Sequence, residues 1–203
     1  MPEPLLSTRF LKHFVNTLSA DLGPEALSTV LEKAELPVEW TQAEYLGTLD
    51  EVRAAEVYAR LQAALRTNFG RGARGILLRI GGKMWEPLLA EAPLTVRTQV
   101  GLVKRLPLGL RRKSTLETLA RLLSVRDGGV TVHTLDLNLL LVDHASPSTL
   151  GQSDHAPICF VTQGLIREAL FWAVGEEHDI EEINCRAAGA ADCKFKITLG
   201  GLT

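Results

Sequence analysis

The stretch that most constrains this chain runs from Pro157 to Val174 and reads PICFVTQGLIREALFWAV, with Arg167 and Glu168 as its only full charges. The pattern predicts a helix, and a helix this apolar must be covered on most of its sides. A sheet covering one flank and N-terminal helices covering another would meet that demand. The next segment, GEEHDIEEINCRAAGAADCKFKI, predicts two strands turned at Ala188-Gly189-Ala190-Ala191-Asp192. All three cysteines fall in this region. Cys159 stands at the mouth of the helix, and Cys185 and Cys193 stand on opposite arms of the hairpin.

If the turn centres on Gly189, Cys185 faces Cys193 across the ladder, with Cβ atoms about 4.5–5.5 Å apart. Two thiolates at that separation both reach one tetrahedral metal at about 2.3 Å, and Cys159 offers a third sulfur. The acidic run Glu176–Glu182 offers a fourth, oxygen ligand. Strand alternation places Glu181 on the face of Cys185 and Glu182 on the other, so Glu182 needs a bulge or a strand end to join. Three sulfurs and one oxygen suit a closed, structural zinc. Buried free thiols, which behave as small apolar groups, and a cross-strand disulfide fit the same spacing, because no CxxC pair is present.

The run Glu182-Ile-Asn-Cys185-Arg-Ala-Ala-Gly189-Ala-Ala-Asp-Cys193-Lys-Phe195, with Pro157-Ile-Cys159-Phe160 and Gly164 before it, resembles the signature of the 4-vinyl reductase domain family. The resemblance covers residues 157–197. It implies a fold like that of TRAPP vesicle-tethering subunits. It also implies kinship with phenol-sensing input domains of bacterial transcription activators and with accessory proteins of bacteriochlorophyll synthesis. Those sensors hold zinc with a Cys, a Glu and two more Cys, in that order along the chain. The matching positions are Cys159, Glu182, Cys185 and Cys193, with Glu181 as the fallback carboxylate. Where many members carry an acid after the turn glycine, this chain has Ala190.

The chain has 203 residues, 46% of them hydrophobic, which implies one globular domain with a sizeable core. A net charge of −2 speaks against general nucleic-acid binding. No window holds about 18 uninterrupted apolar residues, so no membrane span is expected. The opening MPEPLLSTRF lacks the apolar core of a secretory signal, and three cysteines fit a reducing cytoplasm.

A helical part is expected over residues 7–124, and the sheet, apolar helix and hairpin over 128–199. Ser7 caps a helix over Thr8–Leu22, and Gly23-Pro24 starts a second to Leu36. Thr48 or Asp50 opens a third to about Phe69, with Val52, Ala55, Tyr58, Ala59, Leu61 and Leu65 on its apolar side. GRGARG at Gly70–Gly75 reads as a helix break, because neither nucleotide-binding glycine motif is in register. Helix resumes over Gly75–Ala90, where Gly81-Gly82 predicts a kink or a close approach. Two shorter helices come next, within Leu94–Ser124 around Pro107. The basic run Lys104, Arg105, Arg111, Arg112 and Lys113 is a solvated face or a rim for an acidic partner. Val130–Leu135 and Leu137–Val142 predict a strand pair. The fold class is therefore α+β, helices packed on an antiparallel sheet of about four strands.

No GxSxG, HExxH or paired-carboxylate pattern argues for catalysis, and no flavin or nicotinamide fingerprint appears. The resemblance implies a stand-alone small-molecule-binding domain for an apolar, aromatic or tetrapyrrole ligand. An enzyme or accessory subunit of vinyl reduction and an interaction scaffold are the other readings. Candidate ligand-lining residues are Phe160, Val161, Leu165, Ala169 and Trp172 of the apolar helix, with Tyr58, Trp85, Leu88 and Val132. The polar loop Asp143–Ala156, flanked by His144 and His155, is expected to act as a lid. By the same resemblance the first helix, through Phe10 and Phe14, is expected to form a homodimer.

Overall fold

The side chain of Ser7 accepts a hydrogen bond from the backbone N–H of Phe10 and so caps helix α1, Thr8–Leu22. The computed structural model describes residues 3–199, Thr41 and Ala43 by their backbone alone. Gly23, at φ 76°, closes α1, and Pro24 opens α2, Pro24–Lys33. Helix α2 ends short of the expected Leu36, because Glu35 turns into the left-handed region at φ 52° ahead of Pro37. A 3₁₀ turn at Val38–Thr41 and the short helix α3, Ala43–Leu46, lead to α4, Glu51–Phe69, capped by Asp50. The expected apolar side of α4 is buried except at Val52, which lies in its first turn and faces solvent.

The glycines at 70 and 72 form one 3₁₀ turn, after which α5 runs unbroken over Ala73–Ala90. Asp21 ties α1 to it, accepting from Arg79 at 2.5 Å and Lys83 at 2.6 Å. The Arg79 hydrogen bond holds the Asp21 carboxyl down to about 2. Helices α6, Leu94–Val103, and α7, Leu108–Leu123, meet at Pro107. The basic run there is largely engaged. Arg111 donates to the carbonyls of Leu106 and Ala173, Arg112 pairs with Glu176, and Lys104 lies 4.4 Å over the Trp172 ring.

Strands β1, Val130–Leu135, and β2, Asn138–Asp143, form a hairpin that turns at Asp136, φ 51°. Helix α8, Phe160–Val174, then leads to β3, Asp179–Asn184, and β4, Cys193–Thr198. The sheet order is β1-β2-β4-β3, antiparallel throughout. Phe195 and Ile197 of β4 and Leu139 and Leu141 of β2 point into the core. Helix α7 packs on β1, and α8 packs on β3, α7 and, most extensively, α5. The architecture is α+β, with α8 enclosed as its composition demands. No helix among the described residues is long and apolar enough to cross a membrane.

The α5–α8 contact is possible because both helices lack a side chain where they cross. A Cβ on Gly81 would stand 2.1 Å from the carbonyl oxygen of Val161, and one on Gly164 would stand 2.1 Å from that of Leu78. The Gly81-Gly82 pair thus marks a close approach rather than a kink. Phe10 and Phe14, expected at a dimer interface, are instead in the core, edge-on to Tyr58 at 5.6 and 4.8 Å. Gly164→Ala is expected to cost about 3 kcal/mol or more, since backbone on both helices must shift. Gly82→Ala, whose Cβ meets nothing nearer than 3.7 Å, is expected to be neutral or stabilising by up to about 1 kcal/mol. Urea unfolding of the two variants checks the contrast.

Candidate functional site

Cys159, Glu182, Cys185 and Cys193 are all buried, and their ligand atoms lie within 4.8 Å of one another. Cys159 is the N-cap position of α8, and Cys193 opens β4. The Cys159 sulfur lies 3.5 Å from that of Cys193 and 4.0 Å from that of Cys185. All three cysteines are free, and these separations are far beyond the ~2.05 Å of a disulfide bond.

The carboxylate joins through a break in the ladder. Strand β3 pairs with β4 in one register up to Glu182↔Phe195, then resumes at Asn184↔Lys194, leaving Ile183 as a bulge. Before the bulge Ile180 and Glu182 face the core while Glu181 is exposed. After it the last pair is Asn184↔Lys194, and Cys185 and Cys193 are the next residues beyond that pair. The extra residue puts Glu182 and Cys185, three positions apart, on one side of the sheet. Glu181 takes no part.

Hydrogen bonds fix the donors. The backbone N–H of Cys159 donates to Glu182 Oε2 at 3.0 Å, and that of Arg186 donates to Cys193 Sγ at 3.4 Å. Ser146 Oγ lies 3.5 Å from Cys159 Sγ. Glu182 Oε1 is buried with no partner among the described residues. Burial, reinforced by the negative charge of Cys185, pushes the Glu182 carboxyl up to about 8. Cys185, accepting from the thiols of Cys159 and Cys193, is driven far down. The contacts of Cys159 with Cys185 and with Cys193, together with burial, drive its thiol far up. On Cys193 the Cys159 contact pulls downward, but Cys185 and burial outweigh it and the thiol rises. The four groups cannot all ionise without a cation among them.

A tetrahedral zinc with sulfurs at about 2.3 Å requires neighbouring sulfurs about 3.8 Å apart, which the 3.5 and 4.0 Å separations bracket. The orphaned Oε1 of Glu182 supplies the fourth donor. The residues present therefore fit a four-coordinate metal with no open position. His144 is not among them: its ring bridges Asp192 at 3.0 Å and Thr131 at 3.2 Å. His155 is exposed.

The loop between β2 and α8 is pinned rather than free. Ser146, Ser148 and Thr149 are buried around a 3₁₀ turn at Pro147–Thr149 that packs on α4. Gln62 donates to Ser148 at 3.1 Å and Arg66 to Gln152 at 2.8 Å, while the N–H of Asp154 bonds the Ala187 carbonyl. Gln62 and Arg66 belong to no motif in the sequence. Their signal is the stripe Tyr58-Gln62-Arg66 at helical spacing on an otherwise apolar face. Burial lowers the Arg66 guanidinium, and the negative charges of Asp154, Cys159 and Cys185 act against that shift.

Of the candidate ligand-lining residues, Trp85, Leu88, Val161, Leu165 and Ala169 are fully buried in the core. Trp172 sits edge-on to Trp85 at 5.8 Å, Phe160 lies under the Arg74 guanidinium, and Val132 is partly buried on β1. Tyr58 alone among them lines a cavity of about 310 Å³ beside the first turn of α8. Its walls are the N-terminal segment 3–6, Phe10, Tyr58, the α7–β1 turn, the exit of β2 and Thr162 of α8. Burial pushes the Tyr58 phenol far up and the Asp143 carboxyl up to about 6, the latter partly offset by the Ala145 N–H and Ser146.

Comparison with known proteins matches residues 144–199 to the model of the 4-vinyl reductase domain family. The fold is similar to that of the Fe(II) unliganded H-NOX protein from K. algicida, with a TM-score of 0.55, 13% identity, and 98% of this chain and 99% of that one covered. A point mutant of that protein gives a TM-score of 0.55 and 15% identity, over 97% of this chain and 98% of that one. No curated protein matches the sequence. The stretch that builds the thiol–carboxylate cluster, residues 144–199, thus belongs to the 4-vinyl reductase domain family that its sequence resembles.

Proposed function

We propose that the chain is a small-molecule-binding domain, a sensor or carrier, whose C-terminal half is locked by a structural zinc on Cys159, Glu182, Cys185 and Cys193. The observation that carries the metal is the buried, orphaned oxygen of Glu182 beside three crowded thiols. A divalent cation ionises all four groups and satisfies them together, whereas the metal-free cluster must keep most of its protons and leaves Glu182 Oε1 without a partner among the described residues. With four protein ligands the zinc holds structure and leaves no position for a reacting water. Arg66, positioned to feel the charge of Cys159 and Cys185, offsets part of the negative charge that three thiolates and a carboxylate leave on such a centre.

The family match and the H-NOX-like fold support the ligand-binding reading, and the 310 Å³ cavity supplies a place for the ligand. That volume is at the small end of ligand sites, which favours a compact apolar or aromatic molecule over a tetrapyrrole. Mass spectrometry of small molecules released from the protein as isolated tests this reading. Repeated recovery of no bound compound, with no saturable binding of any apolar probe, overturns it.

Elemental analysis is expected to find about one zinc per chain. Cys193→Ser is expected to lose it and about 4 kcal/mol of stability, lowering the melting temperature by roughly 8–16 °C. Full thiol titration of protein purified without chelator, with no metal found, counts against the site.

The pH dependence gives an independent check. In chelated protein the Glu182 carboxyl is raised from 4.5 to about 8, so its contribution is complete below 4.5 and is lost as pH rises through about 8. Metal binding reverses the sign, because ligands must shed protons to bind and affinity climbs with pH. Melting curves with and without chelator are expected to diverge between about pH 5 and pH 8.

A further inference from the structure

Helices α6 and α7 present an outer face that the core does not use. Residues 94–114 carry Arg97, Lys104, Arg105, Arg111, Arg112 and Lys113 and no acid, in a chain whose net charge is −2. Two of these cations have carboxylate partners, Arg112 with Glu176 at 2.8 Å and Lys113 with Glu117 at 3.9 Å. Arg111 binds carbonyl oxygens and Lys104 lies over a ring, so neither charge is neutralised there. Arg97 and Arg105 are exposed and pair with no carboxylate among the described residues.

Leucines stand among these cations. Leu94 is 76% exposed, Leu102 54%, Leu108 47% and Leu110 56%. On α6, Leu94 and Leu102 share a side with Arg97 and Arg105, opposite the buried Val96, Val100 and Val103. Leu108 and Leu110 lie in the first turn of α7, across the Pro107 elbow. A cleft of about 290 Å³ opens between the two helices, with Leu102, Val103 and Leu106 on its wall.

Three occupants can be weighed against this face. A second copy of the chain, brought up by a two-fold axis, sets like charge on like charge. An acidic protein meets the cations, but residues 94–114 hold no aromatic side chain of the kind that anchors protein interfaces. An anionic bilayer takes both kinds of residue at once. Its headgroups meet the cations, and its acyl carbon, about 5–10 Å deeper, meets the leucines. This face also lies outside residues 144–199, the part of the chain that the family model matches.

We propose that the α6–α7 face docks on the surface of an anionic lipid bilayer. Arg97, Lys104 and Arg105 lie at the headgroup level. Leu102, Leu108 and Leu110 enter the acyl boundary at the elbow, and the cleft beside them accepts part of a chain. No helix spans the bilayer; α6 and α7 lie along it.

The test sediments full-length protein with extruded vesicles, either of phosphatidylcholine alone or with about 30% phosphatidylglycerol. Binding to the anionic vesicles is expected to be at least about ten-fold tighter, and to weaken as salt rises from about 0.1 M. Arg97→Gln with Arg105→Gln is expected to bring that ratio towards unity. Leu102→Ser with Leu110→Ser is expected to weaken binding to the anionic vesicles at least about ten-fold. These side chains are exposed, so zinc content and melting temperature are expected to stay unchanged in both variants. The proposal is overturned if neither vesicle binds, if both bind equally, or if either double variant binds like the parent chain. It is overturned in favour of an acidic polypeptide if soluble polyglutamate binds and vesicles do not. It is overturned in favour of a second copy if light scattering finds a dimer that Leu102→Ser with Leu110→Ser dissolves. None of these outcomes bears on the cavity ligand, which is read by its own experiment.

Discussion

Four acids packed within 4.8 Å of one another and away from solvent form an arrangement that neutral groups fill poorly and ionised groups cannot fill alone. Much of the C-terminal architecture exists to hold it. The N-terminus of α8 delivers one sulfur, the start of β4 another, and a bulge in β3 brings a sulfur and a carboxylate to the same side of the sheet. The loop before α8 adds Ser146, and the α4 stripe adds Arg66. A cation at the centre would turn a set of mutually repelling groups into a cross-link between helix, hairpin and loop. Without it the same groups, once ionised, push those elements apart.

Legibility in the sequence follows how local each determinant is. The caps at Ser7 and Asp50, the Gly23-Pro24 junction and the apolar helix are set by neighbours in the chain and can be read from it. So can the four-residue cluster, through its motif. Its geometry cannot: plain alternation favours Glu181, and only the one-residue bulge at Ile183 turns Glu182 inward. A bulge of this kind depends on where the partner strand runs, which no window of β3 reveals. The loop Asp143–Ala156 misleads for a similar reason. Its serines, proline and glycine have the composition of a lid, but Ser148 finds Gln62, 86 residues away, and becomes part of the interior. The expected pocket around Trp85 and Leu165 rests on apolar composition, which does not distinguish a lined void from a filled one; here the side chains fill it.

The cavity and the cluster are neighbours through one short stretch. Asp143 and Ser148 line the cavity, and Ser146 between them touches the Cys159 sulfur. On the other side Tyr58 faces the cavity, Gln62 holds Ser148, and Arg66 feels the thiolates. One face of α4 and one short piece of loop therefore border both. Displacing the 3₁₀ turn at Pro147–Thr149 disturbs both places at once, and stiffening it steadies both.

The glycine crossing between α5 and α8 bears on which parts can move. At Gly81 and Gly164 the two backbones touch with nothing between them to slide, and a shift of either helix along its axis would drive a side chain into a carbonyl. The pair behaves as a single rigid beam with the thiol–carboxylate cluster at one end of α8. A displacement of the cluster end of α8 would then carry α5 with it, so the two helices form the frame on which the loop and the sheet are hung.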